Sequence, residues 1–413
     1  MRKRVPYARY RDGDGGVRGV RGKVVGLNGD RAVAYAVKQA KVDVISAYPI
    51  TPQTIIVEAL AEYVNNGELD AAFIPVESEH TALSAAVGAS LAGARVFTAT
   101  SSQGLALMWE ILWIAAGLRT TIVMAMGNRA LSPNINIHCS HDDAYAARET
   151  GWLQFFAENV QEAYDLTLMA FKISEDHRVL FPSIANLDGF ILTHSVERLT
   201  VLEDSDVDAF LPKKEPVNRI DPERPMTYGA LDLFDWYMEH KRAQFEALES
   251  TRPVIKEIFE EYGELTGRKY TPVKAYNVDG ADIVFVALGT AAGTLRHVAR
   301  ELAGQGKKLG VVSLTQYRPF PAEELRRILS EATVVAVLDR SVSFGSPAPQ
   351  LFMDIATSMY YAKRRPLLFS VIYGLGGRDF GPQHVLELYK KAEEILRTGE
   401  PPATSIWAGL REG

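Results

Sequence analysis

Four short segments combine carboxyl, hydroxyl, guanidinium and amide side chains with rigid or small residues. They are Tyr48-Pro49-Ile50-Thr51-Pro52, Val76-Glu77-Ser78-Glu79-His80, Thr98-Ala99-Thr100-Ser101-Ser102-Gln103-Gly104 and Asn128-Arg129-Ala130-Leu131-Ser132. In the first, two prolines fix the backbone around Thr51, so that its hydroxyl and the neighbouring amides can face an anion where a helix begins. The plainer reading is a capping turn with Thr51 or Gln53 at the helix start. In the second, Glu77 and Glu79 precede an alanine- and glycine-rich helix, and burial of a carboxyl there tunes its protonation for acid–base work. The commoner explanation for two acids in that place is the helix macrodipole. The third offers hydroxyls, an amide and Gly104 to a planar or anionic ligand, although serines at strand ends are often caps only. In the fourth, Arg129 can grip a carboxylate with two parallel bonds, where a generic arginine makes a surface ion pair.

All four segments follow runs rich in β-branched residues. Strands are expected at Val42–Ala47, Ala72–Val76, Arg95–Thr100, Thr121–Met126 and Val179–Ala185, alternating with helices at Gln53–Asn65, Glu79–Ala92, Leu105–Ala116 and Val160–Asp176. Such alternation is the pattern of a parallel sheet covered on both faces by crossover helices. In an open parallel sheet, the carboxyl ends of strands are where ligands bind, and the four segments lie at that edge. A second α/β rhythm begins at Asp282 and continues through Leu309–Leu314, Thr333–Leu338 and Pro366–Ile372. The expected architecture is a basic, flexible arm over 1–27, a parallel α/β domain over 28–212, a connector with a long charged surface helix over 213–276, and a smaller α/β domain over 277–413.

Composition narrows the class of function. With 413 residues, 47% hydrophobic and 23% charged, the chain can build two or three packed domains. Its net charge of -6 leaves no excess of cations for a phosphate backbone, so nucleic acid is not an expected partner. The longest apolar stretch, Gly104 to Leu118, is interrupted by Glu110 and falls short of the ~20 residues that span a bilayer. No apolar core marks a signal peptide in Met1 to Lys23, so the cytoplasm is the expected compartment. Cys139 is the single cysteine, so the chain cannot supply the four thiolates of an iron–sulfur cluster, and any such cluster would belong to another chain. The histidines include no zinc-enzyme spacing, and no metal ligands are assigned. Gly13-Asp14-Gly15 superficially matches the magnesium motif of thiamine enzymes, but no strand precedes it and no asparagine follows about 25 to 30 residues later.

Taken together, YPITP, VESEH, TATSSQG, NRALS and the following ETGWLQFFAEN resemble the alpha subunit of pyruvate:ferredoxin oxidoreductase and its relatives in the 2-oxoacid:ferredoxin oxidoreductase family. The resemblance continues through Gln161-Glu162-Ala163, Leu187 to His194, Tyr317-Arg318-Pro319-Phe320-Pro321 and Gly374 to Asp379, and covers about residues 28 to 411. It implies a pyrimidine-type thiamine-diphosphate domain followed by a smaller transketolase C-terminal-like domain. It also implies a beta subunit that carries the diphosphate and Mg2+ site, and gamma and delta subunits, with [4Fe-4S] clusters on the partner chains that pass electrons to ferredoxin. On this pattern Glu79 stands beside the aminopyrimidine N1′, and Thr51 and Arg129 bind the carboxylate of the 2-oxoacid. Tyr48, Pro49, Ile50, Ser102 and Gln103 belong to the cofactor surface, and Glu77 supports the site from behind. A carboxyl at N1′ favours the tautomer whose nitrogen takes the thiamine C2 proton, assistance worth roughly 10²- to 10⁴-fold.

The resemblance implies oxidative decarboxylation of pyruvate with coenzyme A. The sequence departs from the usual family pattern just after NRALS, with Ser132-Pro133-Asn134 and then Ile137-His138-Cys139-Ser140-His141 where relatives often have Ala-Pro and an aromatic. That stretch approaches the substrate, and a branched-chain 2-oxoacid is the nearest alternative. Two further readings stand beside these: a scaffold subunit that keeps the fold without catalysis, and a thiamine decarboxylase or transketolase-like enzyme with no electron relay.

Overall fold

A computed structural model describes residues 22–411 apart from positions 214 and 218. The Gly13-Asp14-Gly15 segment and the arm over 1–21 lie outside the described residues. Lys23–Leu27, expected to belong to that arm, instead form part of a strand, Lys23–Asn28, paired antiparallel with Val196–Val201.

The first domain is built on seven strands in the spatial order Gln316–Arg318, Leu153–Phe156, Ser183–Asp188, Ile122–Asn128, Val96–Thr100, Val44–Ala47 and Ala72–Pro75. All neighbours run parallel except the edge strand Gln316–Arg318, which the second domain lends antiparallel to Leu153–Phe156. Val96–Thr100 and Ile122–Asn128 are buried throughout, because helices cover both faces. On one face pack Gly29–Gln39, Thr54–Asn65, Val160–Ser174 and Thr251–Thr266; on the other pack Glu79–Leu91, Ser102–Leu107 and Trp109–Gly117. From Val44–Ala47 the chain runs outward to Ala72–Pro75, then returns to Val96–Thr100 on the opposite side and continues away. The order therefore reverses between Val44–Ala47 and Val96–Thr100, and a crevice opens beyond their carboxyl ends.

The second sheet has the order Ile406–Ala408, Leu367–Tyr373, Val334–Asp339, Ile283–Ala287, Leu309–Leu314 and Val273–Tyr276, parallel except for the last strand. Val273–Tyr276 thus belongs to the second domain and not to the connector. The expected single surface helix is two helices. Tyr237–Glu249 has no buried residue, whereas Thr251–Thr266 buries Val254, Ile255, Ile258, Phe259 and Tyr262, the stripe that helical spacing places on one face. Gly267, at φ 73°, ends it in the left-handed conformation glycine favours. The helix expected over Leu105–Ala116 divides at Met108. No helix among the described residues is long and apolar enough to cross a membrane.

Two buried polar nodes join the domains. Glu158 meets Arg296 Nη2 at 2.6 Å and Lys274 Nζ at 3.5 Å, while Lys274 also meets Glu162 at 2.5 Å. Asp188, at the end of a first-domain strand, accepts from the Thr290 amide at 3.1 Å, and its Oδ1 lies 2.8 Å from His141 Nε2. Burial alone would raise the Asp188 carboxyl, but His141 and Arg340 beside it hold it well below the usual carboxylate range. The carboxyl edge of the second sheet therefore faces the first domain's own ligand edge.

Candidate active site

The Tyr48–Pro52 turn leaves one strand of the crevice, and it is not a simple cap. Gln53 makes no capping bond; its Nε2 donates to the Tyr48 carbonyl at 3.0 Å and lies 3.4 Å from the Ala99 carbonyl. The turn is thereby tied to the opposite crevice strand. Tyr48 and Pro49 remain exposed, with Ile50 and Thr51 half-buried, so this turn forms the open lip of the crevice.

Glu79 begins the helix Glu79–Leu91, and Ser78 caps that helix by accepting from the Thr81 amide at 3.2 Å. Neither glutamate is needed as the cap. Glu77 is exposed and accepts from the Thr81 hydroxyl, which holds its carboxyl below the ordinary value. Glu79 is only 6% exposed, and its carboxyl makes no hydrogen bond or ion pair with another described residue. It lies against Gly104: a Cβ built there would be 2.7 Å from Glu79 Oε1 and 2.5 Å from Thr100 Oγ1. Thr100 Oγ1 is itself buried without a hydrogen-bond partner among the described residues. The absence of a side chain at Gly104 lets the Glu79 carboxyl pack against that helix start with its hydrogen-bonding capacity uncommitted among the described residues.

The two later segments are clasped together by a residue that the motifs did not reveal. Asp143 Oδ2 accepts from the Ser102 amide at 3.0 Å and from the Arg129 amide at 2.9 Å, while its Oδ1 takes Asn128 Nδ2 at 3.0 Å. Burial raises its carboxyl to about 6 despite these donors. Asp142 and Asp143 lie in the first turn of the short helix Asp142–Ala146, which the sequence motifs did not single out. Ser102, expected on the cofactor surface, is fully buried. Its Oγ lies 2.5 Å from the Ala130 carbonyl and 2.6 Å from Gln103 Oε1, so the hydroxyl joins two loops of the protein and does not face the crevice. Its φ of 48° is held by these contacts.

Arg129 is 6% exposed, with burial lowering its pKa. Its Nε donates to the Asn136 carbonyl at 3.1 Å and its Nη1 to the Thr51 carbonyl at 3.0 Å. Nε and one proton of Nη1 are thus engaged by the protein, and among the described contacts Nη2 is left to meet a carboxylate. Thr51 and Arg129, distant in sequence, are brought together through the Thr51 main-chain carbonyl.

Phe190 flanks the same lip. Gly189 donates its amide to the Asn128 carbonyl at 3.1 Å, and a Cβ on it would be 2.9 Å from Pro52 Cγ. The Phe190 ring lies between His138 and His194, with centroids 4.7 and 4.5 Å away. Ser140 is buried and accepts from the Gly376 amide at 3.1 Å, so it faces the second domain. Among the described residues Cys139, His141 and Asp188 form a compact buried cluster with ligand atoms within 4.8 Å. Arg340 Nη2, 3.7 Å from Asp188, already brings positive charge there, and burial pushes the Cys139 thiol up and keeps it protonated. The cluster is an ion-paired domain junction.

A family model described as pyruvate flavodoxin/ferredoxin oxidoreductase, thiamine diphosphate-binding, matches residues 35–260, and one described as pyruvate:ferredoxin oxidoreductase core domain II matches residues 281–385. The chain belongs to the pyruvate flavodoxin/ferredoxin oxidoreductase family. It is 48% identical to the pyruvate synthase subunit PorA of Thermotoga maritima, over 89% of this chain and 94% of that one. The corresponding protein of Pyrococcus furiosus is 47% identical, over 93% and 97%. The ketoisovalerate oxidoreductase subunit VorA of Pyrococcus abyssi is 43% identical, over 93% and 97%. A solved 2-oxoglutarate:ferredoxin oxidoreductase from Magnetococcus marinus shares the fold, with a TM-score of 0.68 and 19% identity, covering 89% of this chain and 65% of that one. The family assignment agrees with a thiamine diphosphate domain of the pyrimidine type followed by a second α/β domain, the architecture expected from the sequence.

Proposed function

We propose that this chain is the alpha subunit of a pyruvate:ferredoxin oxidoreductase. It holds the aminopyrimidine half of a thiamine diphosphate site whose diphosphate, Mg2+ and iron–sulfur relay reside on beta, gamma and delta partners. The reaction converts pyruvate and coenzyme A to acetyl-CoA and CO2 and releases two electrons, one at a time, to ferredoxin. The observation that carries this reading is the buried side chain of Glu79, its carboxyl without a partner among the described residues and packed against Gly104 at the crevice.

Bound thiamine diphosphate supplies the electron sink for decarboxylation. The part of this chain is acid–base and positional. Glu79 holds a proton at the pyrimidine N1′, and its exclusion from water strengthens that bond. Arg129, anchored on the Thr51 and Asn136 carbonyls, presents Nη2 to the substrate carboxylate, and Thr51 joins it in that role. Tyr48, Pro49 and Ile50 form the lip over which the cofactor ring enters, and Gln103 flanks it at the start of the opposite helix. Relatives named as pyruvate synthase subunits are 45 to 48% identical and those named for ketoisovalerate 41 to 43%, which supports pyruvate as the substrate.

The test is reconstitution with the partner subunits and assay of dye or ferredoxin reduction with pyruvate and 2-oxoisovalerate. Pyruvate is expected to have the higher kcat/KM, and Glu79→Gln is expected to lower turnover by roughly 10²- to 10⁴-fold. Turnover at the parent rate would leave only the scaffold role, and a complex without iron would remove the electron relay.

A further inference from the structure

Arg129 is a long side chain whose usefulness depends on where its guanidinium is held. Its Nη1 anchor, the Thr51 carbonyl, lies in a turn stiffened by prolines. Its Nε anchor, the Asn136 carbonyl, lies in a loop that is largely exposed from Ser132 to His138, and such a loop does not by itself fix an acceptor. The loop is closed by the Ala130 amide donating to the His138 carbonyl at 3.1 Å. Asn136 locks it further with both ends of its amide. Oδ1 accepts from the His138 amide at 2.7 Å, and Nδ2 donates to the carbonyl of Gly376, in the second domain, at 3.2 Å.

The second domain is shaped for this contact. Gly376 has φ 59° and ψ 31°, and a Cβ on it would be 2.4 Å from Asn136 Nδ2. At Gly377, with φ 77°, a Cβ would be 2.5 Å from His138 Cβ. The Gly377 amide donates to the Cys139 carbonyl at 2.8 Å, and the Gly376 amide to Ser140 Oγ at 3.1 Å. Side chains are thus excluded from this turn by both backbone conformation and space.

We propose that Asn136 is a positioning residue through which the second domain sets the substrate-binding guanidinium, along the chain Gly376 carbonyl, Asn136, Arg129, Thr51 carbonyl. The inference rests on the reading of Arg129 as the carboxylate site. It gives the Gly374–Gly377 turn a part in substrate affinity although it touches neither Glu79 nor the pyrimidine surface. Displacing a positioning group by about 1 Å can cost 10²-fold, which sets the scale of the effect.

The experiment compares Asn136→Ala, Asn136→Asp, Gly376→Ala, Arg129→Ala and the double variant Asn136→Ala/Arg129→Ala in the reconstituted complex. It reads the KM for pyruvate, the KM for coenzyme A and the affinity for thiamine diphosphate by fluorescence quenching. Asn136→Ala and Gly376→Ala are expected to raise the pyruvate KM about tenfold or more, with coenzyme A and cofactor values unchanged. Asn136→Asp, which keeps the acceptor for His138 but loses the donor to Gly376, is expected to reproduce most of that rise. In the Arg129→Ala background the loss of Asn136 is expected to add nothing, because the residue acts through the arginine. If Asn136→Ala and Gly376→Ala leave the pyruvate KM unchanged while Arg129→Ala raises it, the relay is overturned and the carboxylate site stands. A rise that adds in full to that of Arg129→Ala, or that extends equally to coenzyme A and cofactor, also overturns the relay. An unchanged KM in Arg129→Ala removes the underlying reading itself.

Discussion

Gly104 leaves room for Glu79: a Cβ at position 104 would lie 2.7 Å from Glu79 Oε1 and 3.0 Å from its Cγ. The carboxyl can stay buried at the crevice only while that hydrogen-sized side chain is kept. Gly104→Ala places a methyl in a helical position, where alanine gains up to about 1 kcal/mol over glycine, against an overpacking cost of about 1–3 kcal/mol as Glu79 and Thr100 are pushed aside. The variant should therefore fold, with a melting temperature no more than a few degrees below the parent, yet lose at least tenfold in turnover. Parent activity in this variant would show that the Glu79 position is not critical.

Asp143 carries the prediction for pH. Its carboxyl is raised from 3.8 to about 6 by burial, so the folded protein takes up this proton more readily than the unfolded chain. The sign is that this group's contribution to stability is fully present below about 3.8 and is lost as pH rises through about 6. Site geometry runs the other way, because the ionised form is the one that accepts both the Ser102 and Arg129 amides. The pyruvate KM should rise as pH falls below about 6, and Asp143→Asn should flatten that rise. A KM constant from pH 5 to 8 in the parent enzyme would contradict this role.

The node around Glu158 makes a prediction about stability. Burial pushes its carboxyl up, but Lys274 and Arg296, with hydrogen bonds from Arg296 and Ser313, bring it down to about 2 from 4.5. That stabilisation is present above pH 4.5 and is lost as pH falls toward 2. Removing one partner leaves buried charge uncompensated, so Lys274→Ala should cost about 3–5 kcal/mol, read by denaturant unfolding at pH 7. A change within 1 kcal/mol would mean that the pairing is not what docks the domains.

Leu107, Trp109, Trp113 and Ile114 are 40 to 50% exposed on the helical segments that lead away from Ser102. An apolar face of this size beside a cofactor crevice is expected to be covered by the subunit that completes the site. Trp113→Lys should weaken assembly and, with it, thiamine diphosphate binding, while the isolated chain keeps its circular dichroism and melting temperature. Complex formation at parental affinity, measured by sedimentation, would place the partner elsewhere.

Much of this protein was legible because its strands are buried on both faces, which leaves continuous runs such as Val96–Thr100 and Val334–Asp339 standing out between helices. The ligand edge followed, since every chemical motif trailed such a run. The strand Leu153–Phe156 was not legible: four residues buried on both sides have neither alternation nor length. The pairing of Lys23–Asn28 with Val196–Val201 depends on contacts far apart in sequence. In the site, the strand-end placement of Thr51, Glu79 and Arg129 was readable from residue type and position, while the roles proposed for them came from the resemblance. Asp143 was not, because an acid at a helix start has a sufficient local explanation, and only the folded loops reveal the amides it gathers. The contacts of Ser102 were hidden for the converse reason: a serine at a strand end gives no sign that a neighbouring carbonyl, Ala130, lies within reach of its hydroxyl.

The central claim is that Glu79 exchanges a proton with a thiamine ring seated at this crevice. It is tested most directly by the rate of hydrogen–deuterium exchange at the cofactor C2 position in the reconstituted complex, followed by NMR after acid quench without substrate. Glu79→Gln is predicted to slow that exchange by roughly 10²-fold or more while the cofactor stays bound. Exchange at the parent rate in a fully loaded Glu79→Gln complex would contradict it.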